Sequence, residues 1–357
     1  MKSIKHFFTF LLVVCFVLLL TFETTAASVI KVASVTGKVT YKDRDSKQEI
    51  PVQVGQIVRR GGRLYRKEPS AQVSLICEDD QKRLLASRNS KSILEICLAP
   101  PNPRLNPEQF LEGGYDPLIP YIISPRYTRI TTLRPTLKWN SVQGINEYEI
   151  TICEIKAGKY ASCFKPVKHS ASKQKIEIRE YPFEKNLSIG KEYKLVVKAT
   201  QDISSDQEEK NLQMRRGDIR RYYAPESVGG GLSGLNFKVL EEGTRKGVLD
   251  PKLESIRQWQ EPNDIKEFGI VLAYENNYLY SEAIEKLEHL LKRTSSDPFM
   301  HTKLGDLYAK QGLNSLAEKS FEEAIKQSKK SQNEIAMQEA EQSLSKLMKI
   351  RSGRSQA

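Results

Sequence analysis

Residues 304–325 read LGDLYAKQGLNSLAEKSFEEAI, and a comparison of the chain with itself gives this stretch its meaning. At an offset of 34, Ile270 meets Leu304, Tyr274 meets Tyr308, Ala283 meets Ala317, Leu287 meets Phe321 and Leu290 meets Ala324. Recurrence at a fixed period of this size marks stacked supersecondary units, each unable to bury its apolar face alone. The second copy adds Gly305 and Gly312, where the first carries Val271 and Tyr278. One more helix is expected before the first copy, at 251–260, and another after the second, at 333–350. That gives three helical hairpins. Stacks of this kind need about three units for a continuous core, so the outer helices serve as caps.

The repeat resembles the tetratricopeptide repeat. In that family small residues let paired helices approach and aromatic residues fill the gap between them. The resemblance implies a repeat core of Tyr274, Ala283, Leu304, Gly305, Tyr308, Gly312, Ala317, Phe321 and Ala324. It also implies a concave groove whose ligand is selected by the first helix of each hairpin, here at Phe268, Leu272, Thr302 and Asp306. The Lys and Asn with which some members clamp a peptide carboxylate are absent there. An apolar helix or strand of another protein is the expected occupant.

Toward the N-terminus the period changes from helical to alternating. Val29, Lys31, Ala33 and Val35 begin such a run, and residues 52–58 and 71–77 repeat the short-strand habit around Gly61-Gly62. The string from Val32 through Cys77 resembles a FecR-type domain at Gly37, Val39, Val54, Gly55, Gly62, Ser70, Val73 and Leu75. Arg59 and Arg60 stand where that family usually has an acidic residue. The resemblance implies a small β-domain of the bacterial envelope and no catalysis.

Between these two regions lie further short strands: Leu137 and Trp139, then Tyr148, Ile150 and Ile152, then Ile176 and Ile178, then Tyr193, Leu195, Val197 and Ala199. Several period-2 strands joined by turns suggest a β-sandwich. The Pro135-x-Leu-x-Trp139 start and the strand from Gly144 to Ile150 resemble a fibronectin type III-like sandwich. Tyr193 falls where such domains tie a corner tyrosine back to the backbone.

The expected architecture is therefore multi-domain. An all-β N-terminal domain at 28–104 is followed by a linker at 105–118 and a β-sandwich middle domain at 119–203. A second linker at 204–249, containing the glycine run at 229–234, leads to all-α tetratricopeptide-type hairpins at 250–350 and a disordered tail at 351–357. Flexible linkers would leave the relative orientation of the modules unfixed.

Lys2 and Lys5, the apolar run at 7–22 and the small residues at 24–27 form a secretory signal peptide over 1–27. An uncleaved membrane anchor is the alternative. Apart from this run no apolar stretch is long enough to span a bilayer, which excludes a polytopic membrane protein. Four cysteines follow it: Cys77, Cys97, Cys153 and Cys163. In an oxidising compartment an even number reads as disulfides. Three pairings are formally open, and chain order favours Cys77 with Cys97 and Cys153 with Cys163. No CxxC spacing or flanking His argues for a metal.

Catalytic signals are missing. His6, His169, His289 and His301 form no paired-His motif, and no G-x-S-x-G elbow occurs. No enzyme, cofactor or metal is expected. The 56 basic against 44 acidic residues leave an excess of positive charge for an anionic partner. Candidate anion-binding arginines are Arg59, Arg60 and Arg63 around the glycine turn, and Arg215, Arg216, Arg220 and Arg221 beside Tyr222 and Tyr223. An exported chain meets acidic glycans and lipid phosphates before nucleic acid, so no nucleic-acid partner is expected. The functional expectation is an exported adaptor of the periplasm or cell envelope that binds another envelope protein through the helical groove. The alternative is a protein that binds glycan or anionic wall polymer through its basic β-modules.

Overall fold

The computed structural model of the chain describes residues 30–77, 82–85, 89–98, 120–142, 145–170, 178–199, 205, 236–294 and 296–352, with side chains as far as 349. The signal segment at 1–27, the linker at 105–118, the glycine run and the four arginines from Arg215 to Arg221 lie outside the described residues. A β-rich N-terminal portion is followed by a C-terminal helical portion.

The first unit pairs two four-stranded sheets. One has the order β4-β1-β6-β7 and is built from β1 (Ile30–Thr36), β4 (Ile57–Val58), β6 (Gln72–Ile76) and β7 (Lys82–Leu85). The other runs β3-β2-β5-β8, from β2 (Val39–Lys42), β3 (Ile50–Pro51), β5 (Arg63–Arg66) and β8 (Ser90–Ser92). Alternation along each strand decides which side chains go in. In β6, Val73 and Leu75 enter the core while Gln72 and Ile76 face out. Val39 and Tyr41 of β2 and Leu64 of β5 meet them from the second sheet in one apolar cluster. The short helix α1 (Ile93–Cys97) closes this core. It starts with a reciprocal cap: the Glu95 N–H donates to Ser92 Oγ at 3.0 Å, and the Ser92 N–H donates to Glu95 Oε2 at 3.0 Å. A disulfide joins Cys77, just past β6, to Cys97.

The second unit has a three-stranded sheet β15-β11-β9, from β9 (Ile122–Ser124), β11 (Thr136–Asn140) and β15 (Ile178–Pro182). Opposite it lies a sheet ordered β10-β17-β16-β12-β13, with β14 also pairing β12. Its strands are β10 (Thr128–Ile130), β12 (Glu147–Lys156), β13 (Lys159–Cys163), β14 (Val167–Ser170), β16 (Glu192–Lys198) and β17 (Phe237–Val239). Leu137 and Trp139 from the first sheet share a core with Tyr148, Ile150, Ile152, Leu195, Val197 and Phe237 from the second. Trp139 is fully buried and meets Tyr148 edge-on at 5.5 Å between centroids, which makes it a core residue. The Tyr193 hydroxyl accepts from the Ser188 N–H at 2.9 Å. Cys153 and Cys163, directly opposite across β12 and β13, are joined by the second disulfide.

The stretch expected to be linker at 204–249 ends in ordered structure. Phe237 is fully buried, and β17 runs parallel to β10 and antiparallel to β16. Three residues are too few for period 2 to stand out beside a glycine run. Ser205 is also fixed, with its Oγ accepting from the Val197 N–H at 3.0 Å. The chain then turns helical through α2 (Glu242–Thr244), a π-helical turn at Arg245–Leu249 and α3 (Asp250–Arg257).

Five longer helices follow: α4 (Asn263–Asn276), α5 (Tyr280–Arg293), α6 (Pro298–Lys310), α7 (Asn314–Lys330) and α8 (Glu334–Ser352). The last runs two residues past the expected boundary at 350. Pro298 at the first turn and Asp297, whose side chain accepts from the Phe299 N–H at 2.9 Å, start α6. Positions equivalent at the 34-residue offset are buried alike: Ala283 with Ala317, Leu287 with Phe321, Leu290 with Ala324. Leu304 and Tyr308 are also buried, while Tyr274 packs at the edge of the same cluster. Gly312 turns the chain between α6 and α7 at φ +72°, and in the first hairpin Tyr278 makes that turn at φ +62°. A left-handed non-glycine residue is costly, and here contacts hold it: the Tyr278 carbonyl accepts from the Arg129 N–H at 2.8 Å.

Gly305 permits the close approach of α6 and α7, because a Cβ there would lie 2.4 Å from the Phe321 ring. Alanine gains about 1 kcal/mol over glycine in a helix interior, but overpacking a fitted core costs about 1–3 kcal/mol. Gly305→Ala is therefore expected to destabilise the protein, read as a lower urea midpoint. A midpoint raised by the helix gain would show that the two helices have room to part.

Candidate functional site

The face expected to receive a partner is not open. Phe268 and Leu272 on α4 are 8% and 3% exposed, and Thr302 and Asp306 on α6 are each 4% exposed. Thr302 Oγ1 donates to the Pro298 carbonyl at 3.0 Å, inside its own helix. Leu94 of α1 and Ile123 of β9 belong to the same buried cluster as Phe268 and Leu272, with Leu98 and Tyr121 packed against it. The four positions are thus buried within the chain, in or beside a core to which the β units contribute, and present no open apolar groove. Apolar periodicity on α4 and α6 reports a face that must be covered, and it carries no information on whether the cover comes from the same chain.

Charged groups lock the covering units in place. Glu275, near the end of α4, is 9% exposed and lies 3.0 Å from Lys303 Nζ and 2.5 Å from Lys310 Nζ. Lys303 Nζ is also 3.4 Å from Glu95 of α1, whose other oxygen is 3.9 Å from Arg63 of β5. Burial alone would raise the Glu275 carboxyl, but the two lysines outweigh it and hold the group at about 2. Alongside, Asn276 Nδ2 donates to the Leu98 carbonyl at 2.6 Å.

The second β unit is tied in by backbone capture. Arg126 is fully buried, and its Nε donates to the Gln311 carbonyl at 2.7 Å. Gln311 Nε2 returns a bond to the Arg126 carbonyl at 2.9 Å. Glu282 of α5 accepts from the Thr131 N–H at 2.7 Å, while its Oε2 is buried without a hydrogen-bond partner among the described residues. Desolvation raises this carboxyl to about 7, against the Thr131 hydrogen bonds that would lower it.

The arginine patch of the glycine turn is mostly consumed in the same way. Arg60 lies 2.5 Å from Glu261 and 4.5 Å over the Trp259 ring, and Arg63 lies 3.5 Å over the Phe299 ring. Only Arg59 keeps an exposed side chain, 3.6 Å from Asp43. Two of the three arginines thus join units together, because their planar heads stack on aromatic rings of the helical region. Sequence reasoning missed Arg126, Glu275, Glu282, Lys303 and Lys310. A signal existed: the 34-residue offset sets Glu275 against the fully buried Ala309, and Glu282 against Leu316. A carboxylate at a repeat position that is otherwise apolar marks a site with its own partner.

Among the described residues no group of three His, Cys, Asp or Glu side chains could hold a metal ion, and no helix is long and apolar enough to cross a membrane. No family model and no curated protein matches the chain. Among solved structures, it is similar to the solution structure of a protein from Bordetella parapertussis, with 16% identity and a TM-score of 0.27. That similarity covers 30% of this chain and 92% of the other, and at this level it carries no argument.

The two carboxylates set opposite pH dependences. Glu275, lowered in the fold, contributes stability that is present above its ordinary 4.5 and is lost as pH falls through about 2. Glu282 is raised, so its contribution is fully present below 4.5 and is lost as pH rises through about 7. Glu282→Gln is expected to match the parent in urea midpoint at pH 4 and to exceed it at pH 8. Equal midpoints at both values would show that Glu282 is solvated.

Proposed function

We propose that the chain is an exported, non-enzymatic scaffold of the bacterial cell envelope that binds another envelope protein. A FecR-like β-domain and a fibronectin type III-like sandwich are mounted on a short tetratricopeptide-like array. The basic apolar N-terminal segment supports export, and two disulfides suit an oxidising compartment. The Ser188 to Tyr193 bond supports the fibronectin-like reading, and the equivalent burial across the 34-residue offset supports the tetratricopeptide-like one.

The observation that carries this reading is the covered face of α4 and α6. A repeat array whose inner face is buried within its own chain offers a partner a composite surface in place of an empty groove. The partner is then recognised by the three modules together. The alternative reading, attachment to an anionic wall polymer through the arginines, loses Arg60 and Arg63 to internal contacts.

The test is affinity capture from the envelope fraction with residues 28–357 as bait, repeated with Arg63→Glu plus Lys303→Glu to break the α1 junction. The expected result is one envelope protein held by the parent and lost from the double variant. Capture that is unchanged by the opened junction would assign recognition to a single module. Recovery of wall polymer alone would replace the scaffold reading.

A further inference from the structure

A cleft of about 670 Å³ opens where the first β unit meets the turn between α7 and α8. This is within the range of roughly 300–1,000 Å³ typical of small-ligand sites, which favour junctions between units. One wall comes from Lys42 of β2, Tyr65 of β5, Lys67 just past that strand, and Asn89. The facing wall comes from the turn at 331–333 and the start of α8, including Gln332 and Gln338. The Ser90 N–H donates to Glu339 Oε1 at 2.7 Å and holds the walls together.

Its charges are largely settled within the protein. Lys67 Nζ is 2.7 Å from Glu49, and Glu68 Oε1 accepts from the Lys38 N–H at 2.6 Å. Arg66 Nε donates to the Ala71 carbonyl at 2.5 Å. Lys42, Arg66 and Lys67 stand against Glu49, Glu68 and Glu334 in the lining, which therefore carries no net charge to attract a strongly ionic ligand. A peptide anchored by apolar side chains finds no apolar pocket, since Pro69 and Ile335 are the aliphatic lining residues.

Neutral polar groups face the cleft and are left available to a ligand. Tyr65 is 4% exposed and lines the cleft, and its hydroxyl makes no hydrogen bond to another described residue. The side-chain amides of Asn89, Gln332 and Gln338 also make no hydrogen bond among the described residues. Each amide offers donors and an acceptor, and a phenol offers one of each. Such a set matches a ligand that carries donors and acceptors on neighbouring atoms without net charge.

We propose that this cleft binds a neutral saccharide bearing hydroxyl or N-acetyl groups, with the Tyr65 hydroxyl at its buried end and the amides of Asn89, Gln332 and Gln338 along its walls. The site stands apart from the partner-binding reading above, because a saccharide can occupy it whether or not a protein is captured.

The test is titration calorimetry of residues 28–357 with tetra-N-acetylchitotetraose and with maltotetraose, and with a neutral Ala-Gly-Ser-Ala peptide as the competing class. Saturable binding of at least one saccharide is expected, weakened about five-fold by Tyr65→Phe and more by Gln332→Ala plus Gln338→Ala. Tyr65→Phe removes one oxygen and keeps the ring, and an unchanged urea midpoint confirms that the fold is intact. Failure of both saccharides to bind, binding unaffected by these substitutions, or binding of the peptide alone would each overturn the assignment.

Discussion

A carboxylate removed from water has to be met by positive charge, and at Glu275 that requirement organises the molecule. Two lysines from α6 meet it, and one of them, Lys303, reaches on to Glu95 of the β region. An isolated ion buried at this depth would cost several kcal/mol. The network therefore exists only when α1, α4 and α6 are assembled together. Glu95 also caps α1, so the helix that covers the repeat face and the charge that locks it depend on one side chain.

The second β unit obeys the same logic with different chemistry. Arg126 is buried against carbonyl oxygens, and Gln311 of the repeat closes the exchange. Tyr278 holds a left-handed backbone because β10 captures its carbonyl, which links the first helical turn to the sheet. Each β unit thus satisfies polar groups that the helices expose, and the helices bury apolar surface that the β units lack. Modules joined by such contacts share their stability, since loosening one exposes polar groups that the other had satisfied.

Much of this architecture was legible in the sequence where a pattern repeats. The 34-residue offset locates the helical hairpins, and alternation locates Leu137, Trp139 and Tyr148 in one core. The proximity of cysteines in chain order anticipates the Cys77–Cys97 and Cys153–Cys163 bridges. What stayed hidden involves pairs that no local pattern couples. Arg126 and Gln311 lie 185 residues apart, and Arg60 and Glu261 lie 201 apart. For the same reason Phe268 and Leu272 read as an empty groove and Arg60 and Arg63 as a free patch. In both cases the residue type was informative and its occupant was not. β17 was missed for a different reason, since three residues beside a glycine run are too short to display a period.

The two tryptophans offer the most direct measurement, because Trp139 sits in the core of the second β unit and Trp259 stacks under Arg60 at the junction with the first. Urea unfolding of residues 28–357 is followed by fluorescence in Trp139→Phe and in Trp259→Phe, each leaving one reporter, with far-ultraviolet circular dichroism as the common reference. Units locked by buried charge unfold together, so in each variant the remaining tryptophan should change with the loss of secondary structure in one transition. A Trp259 signal that relaxes at lower urea, while helix and strand content persist, would show that the junction opens on its own and would contradict this account of shared stability.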